Sequence, residues 1–436
     1  MRSSIITDLF QAYYRARRNK RNTINQLKFE LNFEHEIFKL YNEIENRSYR
    51  PLPETAFIIN KPVQREIFAA NFRDRVIHHL LFQYISPIIE KYLIYDCYSC
   101  RKGKGTSAGI KRAAKFLRAC SQNYKKDCWI MQMDISGYFM GINRELLYHK
   151  VNGILQREYQ KRALSADCAT ISALSLPGLT GQSRGIDFKD FLDSPLSRRM
   201  TKKAVVAQSA GKGISFDKDI VDFLLKKTIF RNPADNCKVK GPGSGWTGLP
   251  ANKSLFYTSP GCGLPIGNLT SQLFGNVFLN DFDHWMKKIM DFGYYGRYVD
   301  DFFIMHPDKG YLLGALPKIA DYLKMNEKLT LHPNKTKIKH YKTGFLFLGA
   351  VIKPYRNYIG NRTKGNFYQA VKKQNRIINN CVPTDEEKKR FISSMNSYLG
   401  IMKHYKTYKI RKCMLENRLS PEWWNSVFSR KAVKNL

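Results

Sequence analysis

Two adjacent carboxylates, Asp300 and Asp301, stand within Tyr294-Tyr295-Gly296-Arg297-Tyr298-Val299-Asp300-Asp301-Phe302-Phe303-Ile304-Met305. Aromatic and β-branched flanks predict two strands joined by a tight turn with the acids at its tip. Two ionised carboxylates about 4 Å apart repel by roughly 4 kcal/mol at an effective dielectric of about 20, and a bound divalent cation relieves that repulsion. A third acid, Asp134, closes a predicted strand, Trp129 to Ile135, and is followed by Ser136-Gly137-Tyr138-Phe139. Three carboxylates on adjacent strand ends can hold two Mg²⁺ ions roughly 3.5 to 4 Å apart, one activating a hydroxyl nucleophile and one holding a leaving phosphate. That is the chemistry of nucleotidyl transfer. A lone Asp-Asp pair is ordinarily a solvated turn; the aromatic flanks, the third acid and the charge of the chain argue against that here.

The elements that must carry these acids are legible from pattern. Residues 1 to about 48 form helices, and Pro51 and Pro53 lead into an extended segment at Phe57 to Asn60. Lys61, Arg65, Arg73 and Arg75 follow as a basic stretch, then a helical pattern from about Val76 to Lys91. The turn Arg101-Lys102-Gly103-Lys104-Gly105 opens another helix near Thr106. Residues 160 to 216 hold 20 Ser, Gly or Ala and no Trp or Tyr, with no sustained period, which marks an insertion or surface segment. Short strands follow Gly344, and a basic helical region begins near Asn366.

The 436 residues carry 73 Lys and Arg against 36 Asp and Glu, a net charge of +37. With 43% hydrophobic and 13% aromatic residues, the chain buries a large core, so disorder throughout is excluded. Excess charge on this scale implies a polyanionic partner, nucleic acid before an anionic membrane surface. From residue 351 onward there are 19 basic and 5 acidic residues, a large share of that excess. No apolar run is long enough for a spanning helix, since Val76 to Ile89 contains His78, His79, Gln83 and Pro87. The N-terminus lacks an apolar signal core and nine cysteines are an odd count, so a reducing intracellular compartment is expected. Cys97 and Cys100 form one C-x-x-C with no second pair at zinc-finger spacing, which does not predict a zinc site.

Tyr298-Val299-Asp300-Asp301 resembles the Y-x-D-D box of reverse transcriptases, Asp134 to Phe139 their first metal-binding motif, and Phe347-Leu348-Gly349 their primer-grip hairpin. Gly263-Leu264-Pro265-Ile266-Gly267-Asn268-Leu269-Thr270-Ser271-Gln272 departs from most relatives, which place Gln before this glycine and Ser-Pro at the end. Ile266 and Gln272 make the stretch similar to the reverse transcriptases of diversity-generating retroelements. The resemblance implies an α+β right-hand polymerase, built as an N-terminal helical extension (1–49), fingers (50–125), palm (126–343, with the insertion at about 160–216), primer-grip strands (344–365) and a basic helical thumb and tail (366–436).

It further implies that Asp134, Asp300, Asp301 and the Ile135 carbonyl bind two Mg²⁺ ions, and that Phe139 is a steric gate against the ribose 2′-hydroxyl. Arg65, with Lys61, resembles the triphosphate-binding arginine, since a guanidinium fork suits phosphate oxygens. Ile266 and Gly267 fall where the family packs against the templating pair; an apolar residue there goes with errors opposite template adenines. Arg73, Arg75, Arg101, Lys104 and Gln272, with Leu348 and Gly349, are candidates for template-primer contact. Lys335, in Pro333-Asn334-Lys335-Thr336-Lys337, resembles the lysine that protonates leaving pyrophosphate, and Lys337 is its alternative.

The tail interleaves Lys372, Lys373, Arg376, Lys403, Lys406, Lys409, Arg411 and Lys412 with Tyr398, Tyr405, Tyr408, Trp423 and Trp424. The basic groups suit duplex phosphates and the rings suit core packing. The resemblance implies a structured template RNA, its cDNA, dNTPs and a small basic oligomeric accessory variability protein as partners, with no membrane, in the cytoplasm of a prokaryotic cell or from a phage. The stretch after Gly349 is long enough for a thumb but not for an added RNase H or H-N-H nuclease domain. The alternatives are a retron or defence-associated reverse transcriptase and, outside the enzymes, a basic RNA-binding scaffold with idle acids.

Overall fold

The computed structural model describes residues 5–18, 23–60, 63–173 and 217–423, with side chains of 162–173 and of Ser244 outside the description. In chain order the strands are β1 (Glu54–Ile59), β2 (Arg65–Ala69), β3 (Trp129–Asp134), β4 (Cys237–Val239), β5 (Tyr295–Tyr298), β6 (Asp301–His306), β7 (Lys337–His340), β8 (Phe345–Phe347), β9 (Ala350–Lys353) and β10 (Arg356–Ile359). Two compact units divide the chain, Met1–Leu93 with Gly137–Asn280, and Ile94–Ser136 with Asp281–Leu436. The class is α+β, as expected.

The first unit is built on the helix Phe72–Tyr92, whose start is capped by the Asn71 side chain accepting from the Arg73 N–H at 3.2 Å. Helix Ile5–Arg17 lies along it, with the buried Asp8 accepting the Tyr84 hydroxyl at 2.9 Å. Tyr13 stacks on Phe33 with ring centroids 5.0 Å apart and meets Phe72 edge-on at 6.2 Å. The three-stranded sheet runs β2-β1-β4, antiparallel then parallel, so Arg65 stands opposite Ile59.

Arg73 is buried in this frame. Its guanidinium pairs with Glu43, donates to the Arg50 carbonyl at 3.3 Å, lies 3.6 Å from the buried Asp74, and covers the Tyr49 ring at 5.2 Å. Arg75 turns its Nε onto the Ala70 carbonyl at 3.1 Å, and burial pushes its pKa down. Both expected template contacts are thereby engaged within the fold: the residues after β2 enter a buried helix start instead of a solvated basic face.

The expected insertion begins later than residue 160. Helix Arg144–Ala173 runs through it because its first residues, rich in Ala, Leu, Lys and Arg, favour continued helix; the remainder, 174–216, lies outside the described residues. The basic helical region likewise starts at Asn361, five residues before the first apolar anchor of its period becomes visible in the sequence.

The second unit holds a four-stranded antiparallel sheet, β5-β6-β3-β7, and a three-stranded one, β10-β9-β8. Helix Thr106–Cys120 contributes Ala113, Phe116 and Leu117 to a core with Ile130, Phe303 and Phe347. Gln132, on β3, donates to the Leu346 carbonyl of β8 at 2.7 Å and ties the two sheets together. Past β10, helices Asn361–Asn380 and Asp385–Lys403 enclose Phe367, Phe391, Met395 and Trp423, and Thr384 with Glu387 closes a capping box. Lys372, Lys373, Arg376, Lys403, Lys406, Lys409 and Lys412 are exposed, whereas Arg411 is buried. Trp423 packs the core as expected, Tyr408 is exposed, and Trp424 lies outside the described residues. No helix among the described residues is long and apolar enough to cross a membrane.

Because removing one member of a buried ion pair strands the other, Arg73→Gln is expected to lower unfolding stability by about 3 to 5 kcal/mol. Urea unfolding measures this, and the RNA affinity of the folded fraction should stay at the wild-type value if Arg73 serves the fold alone.

Candidate active site

Antiparallel pairing of β3 with β6 sets Asp134 directly opposite Asp301, the last residue of one strand against the first of the other. Asp300 precedes Asp301 in the two-residue turn Val299–Asp300 that joins β5 to β6. The register therefore brings Asp134 and Asp301 to one sheet end and the turn adds Asp300 there, all in the second unit.

The turn is not relaxed. Val299 has φ 59°, a left-handed conformation that costs a β-branched residue roughly 1 to 2 kcal/mol. What holds it is a buried ion pair. The Arg297 Nη1 donates to the Val299 carbonyl at 2.9 Å. The same guanidinium forks onto Asp283, with Nε at 2.7 Å and Nη2 at 2.6 Å, and both side chains have no exposed surface. The Tyr295 hydroxyl donates to Asp283 at 2.5 Å, and burial with the nearby carboxylate raises the Tyr295 pKa well above its ordinary value. Although burial alone would lower it, Asp283 keeps the Arg297 pKa well above normal. The Arg297 backbone is anchored too, its N–H on the Asp96 carbonyl and its carbonyl on the Tyr98 N–H, each at 3.0 Å.

Sequence reasoning assigned no role to Asp283 or Arg297. The available signal was a lone arginine inside an aromatic strand two residues before the turn, where a charge is tolerated only with a buried partner.

The Asp301 pKa is raised to about 7, chiefly by burial and then by Asp300 and Asp134, against the opposing pull of Lys335. Lys335 Nζ lies 2.9 and 3.0 Å from the two Asp134 oxygens. Its loop is suspended from the same residue, since the His332 N–H donates to the Asp134 carbonyl at 2.7 Å and the Lys335 N–H to the His332 carbonyl at 3.1 Å. Lys337 instead sits exposed on β7 opposite Gln132. Ile135 bridges Leu331, and the two hydrogen bonds flanking it use the Asp134 carbonyl and the Ser136 N–H, not its own carbonyl.

Among the described residues no three acidic, imidazole or thiol side chains form a ready metal cage; Asp134 gives both oxygens to Lys335 instead. The donor set still suits Mg²⁺. It offers hard carboxylate oxygens and a backbone carbonyl, and the raised Asp301 pKa marks negative charge that one ammonium does not offset. Cys97 is buried and Cys100 exposed, both as free thiols.

The remaining candidates of the second unit fall into two groups. Arg101 donates through Nη1 to the Ile94 and Cys97 carbonyls at 2.7 and 2.9 Å, and Lys104 covers the Tyr95 ring at 3.1 Å, so both close their own loop. Leu348 and Gly349, with φ 51° and 80°, form the two-residue turn between β8 and β9. That double left-handed geometry is the hairpin-matching one. Leu348 fills the space above Gly109, where an added Cβ would lie 2.8 Å from its Cδ1.

In the first unit, Phe139 and Ile266 are half-buried against one apolar cluster of Ala56, Phe68, Met140 and Leu255. Phe139 lies over Gly275, 3.3 Å from the position of a would-be Cβ, and its carbonyl accepts the Leu264 N–H at 2.8 Å. The Ile266 carbonyl accepts the Phe68 N–H at 2.9 Å. Gly267 follows at φ 134°, where any Cβ would meet the Phe68 carbonyl at 2.5 Å. So β2 fixes the approach to helix Leu269–Phe278, on which Gln272 is exposed. Arg65 is exposed at the start of β2, with no carboxylate paired to it among the described residues. Lys61 lies outside the described residues.

Residues 246–352 match the family described as reverse transcriptase (RNA-dependent DNA polymerase). That span includes Ile266, Asp300, Asp301, Lys335 and Gly349. No curated protein matches the chain. Among solved structures, apo telomerase from Candida tropicalis is 13% identical over 94% of this chain and 73% of its own, with a TM-score of 0.45. Telomerase from Candida albicans in complex with a TWJ fragment of telomeric RNA is 12% identical over 89% and 60%, with a TM-score of 0.43. A C-terminally truncated apo telomerase from C. tropicalis is 13% identical over 74% of this chain, which spans 60% of that one, at a TM-score of 0.43. The fold mixes helix and sheet, and residues 246–352 are similar in sequence to reverse transcriptases.

Because the Asp301 pKa is raised, the folded protein takes up a proton there that the unfolded chain has already lost. Its stability is intact near pH 4 and declines as pH rises toward 7. In metal-free protein, Asp301→Asn should therefore raise the melting temperature relative to wild type at about pH 8 and leave it nearly unchanged at about pH 4. Differential scanning fluorimetry at both pH values reads this directly.

Proposed function

We propose that the protein is an RNA-directed DNA polymerase that copies a structured template RNA into cDNA by two-Mg²⁺ nucleotidyl transfer, and that it is a diversity-generating reverse transcriptase, error-prone at template adenines. The observation that carries the polymerase reading is the pairing of Asp134 with Asp301 across β3 and β6, with Asp300 in the adjoining turn, within a chain whose residues 246–352 match reverse transcriptases. Asp134, Asp300, Asp301 and the Ile135 carbonyl would hold the two ions, which supply Lewis acidity to the attacking hydroxyl and the leaving phosphate.

The chain's own groups divide the remaining work. Lys335 neutralises Asp134 and is the proton donor to departing pyrophosphate, since its ammonium, unlike that of Lys337, lies on a catalytic carboxylate. Arg65, exposed and without an acid partner among the described residues, is the triphosphate clamp, and Lys61 its neighbour. Phe139 is the gate that excludes a 2′-hydroxyl; its ring lies over Gly275, where any larger residue would press on it. Ile266 offers shape but no hydrogen bond to the templating pair, which supports relaxed copying. Gly267, Gln272, Leu348 and Gly349 are template-primer contacts. An accessory basic protein, mutagenic retrohoming and a prokaryotic cytoplasm belong to the same proposal, and rest on the Ile266 and Gln272 pattern.

Primer extension on RNA with dNTPs and Mg²⁺ should yield cDNA, and Asp300→Ala should reduce it by roughly 10²- to 10³-fold or more. Equal synthesis by that variant would overturn the enzyme. Sequenced products should show errors concentrated opposite adenine, and Ile266→Gln should bring that rate toward the rate at other bases; an unchanged adenine rate removes the role given to Ile266. Phe139→Ala should raise ribonucleotide incorporation by about 10- to 200-fold, the discrimination one steric contact provides.

A further inference from the structure

The β9–β10 hairpin of the second unit has a turn that its own stability does not explain. Its two turn residues are Pro354 and Tyr355. Proline fixes φ near −65°, and Tyr355 follows at φ 63°, the position of such a turn that favours glycine or asparagine. A tyrosine there accepts backbone strain, and its side chain gains little burial in return, being 85% exposed. Its ring contact is edge-on to Tyr124 at 4.6 Å, and Tyr124 in turn stacks on Tyr341 at 6.3 Å. The ring is supported from one edge while a face remains open to solvent.

Two hollows lie along the hairpin, one at its turn and one beside its strands. One, of about 460 Å³, is lined by Arg118, Asn123 and Tyr124 together with Tyr355. The other, of about 320 Å³, is lined by Tyr358, Lys364, Tyr405 and Lys406. Lys353, Arg356 and Asn357 border both. No carboxylate lines either one. Arg356 is fixed between them, donating to the Lys406 carbonyl at 2.9 Å and lying 4.8 Å from the Tyr358 ring centre. Each hollow has the size of a small-ligand site such as one nucleotide occupies.

We propose that this hairpin is a binding site for single-stranded RNA that grips the template outside the catalytic residues, an inference that rests on the reading of the chain as an RNA-copying polymerase. The chemistry points to an unpaired strand. A tyrosine face exposed between cationic hollows stacks on a base while lysine and arginine hold the phosphates on either side. A duplex keeps its base faces covered and would use only the charges. The exposed Asn123, whose side-chain oxygen accepts from Arg118 Nε at 2.6 Å, keeps its amide N–H groups as donors for a base edge.

The test uses the full chain and a labelled oligouridine of roughly 12 nucleotides, within the span such sites cover, read by fluorescence anisotropy beside an RNA duplex and an oligothymidine of equal length. Tyr355→Gly relieves the strained φ, so it should melt no lower than wild type, yet bind oligouridine roughly 5- to 150-fold more weakly, the range of one stacked base. Tyr355→Phe should bind as wild type. Arg118→Gln with Lys353→Gln should reduce the slope of log affinity against log salt by about 1.4, two phosphates' worth for a single strand. Primer extension on a short primed template should proceed at the wild-type rate in Tyr355→Gly. Unchanged oligouridine affinity in Tyr355→Gly, failure of Tyr355→Phe to bind, or a greater loss for duplex or oligothymidine than for oligouridine would each overturn the site. Absence of extension by wild type would instead overturn the polymerase reading and leave the binding result to stand or fall alone.

Discussion

The fork of Arg297 on Asp283 is the constraint on which the catalytic end of the second unit depends. A fully buried charge pair is expensive to desolvate and would be a weak source of stability by itself. Here the pair has a further task, since the third guanidinium nitrogen holds the Val299 carbonyl. That bond keeps a β-branched residue in a left-handed turn and so fixes where Asp300 leaves the strand. The Tyr295 hydroxyl and the backbone bonds to Asp96 and Tyr98 secure the same arginine from other sides. A looser support would let the turn relax, and the sheet register alone would then define only Asp134 and Asp301.

The electrostatics of the site follow from that rigidity. Asp301 is buried beside acids that cannot move apart, so desolvation first and then repulsion from Asp300 and Asp134 raise its pKa to about 7. Lys335 offsets part of it through Asp134. Its side chain is half exposed and its loop is tied to the Asp134 backbone, so the ammonium can leave the carboxylate while staying close to it. The arrangement suits a cation that exchanges with other cations, and it explains acids in a chain of net charge +37.

Much of this was legible in the sequence because the signals were local. Aromatic and β-branched residues flanking Asp300 and Asp301 predicted the hairpin, and the strand ending at Asp134 appeared within one residue of its place. Helix Thr106–Cys120 followed from the glycine-rich turn before it. What failed to show was long-range. Arg73 and Arg101 look in sequence like free basic groups, and only the fold supplies Glu43 to the one and the Ile94 and Cys97 carbonyls to the other. Asp283 and Arg297 are fourteen positions apart with no motif between them, so their pairing is set by the return of β5 beneath the helix that carries Asp283. The extent of the helix Arg144–Ala173 was hidden for a different reason: small residues favour helix without announcing a buried face.

Three non-glycine residues of the second unit occupy left-handed conformations at hairpin turns, and comparing what secures each shows what such strain can mean. Val299 is secured by a buried guanidinium and positions Asp300. Leu348 is secured by packing, its side chain seated over Gly109 in a turn whose handedness suits a two-residue hairpin. Tyr355 has the least support of the three: its ring meets Tyr124 edge-on, and most of it is in solvent. Backbone strain persists only where something outweighs it. For Val299 and Leu348 the compensating contacts lie inside the unit. For Tyr355 the offsetting contact is the edge-on one to Tyr124, and it leaves most of the ring free for a further stacking contact.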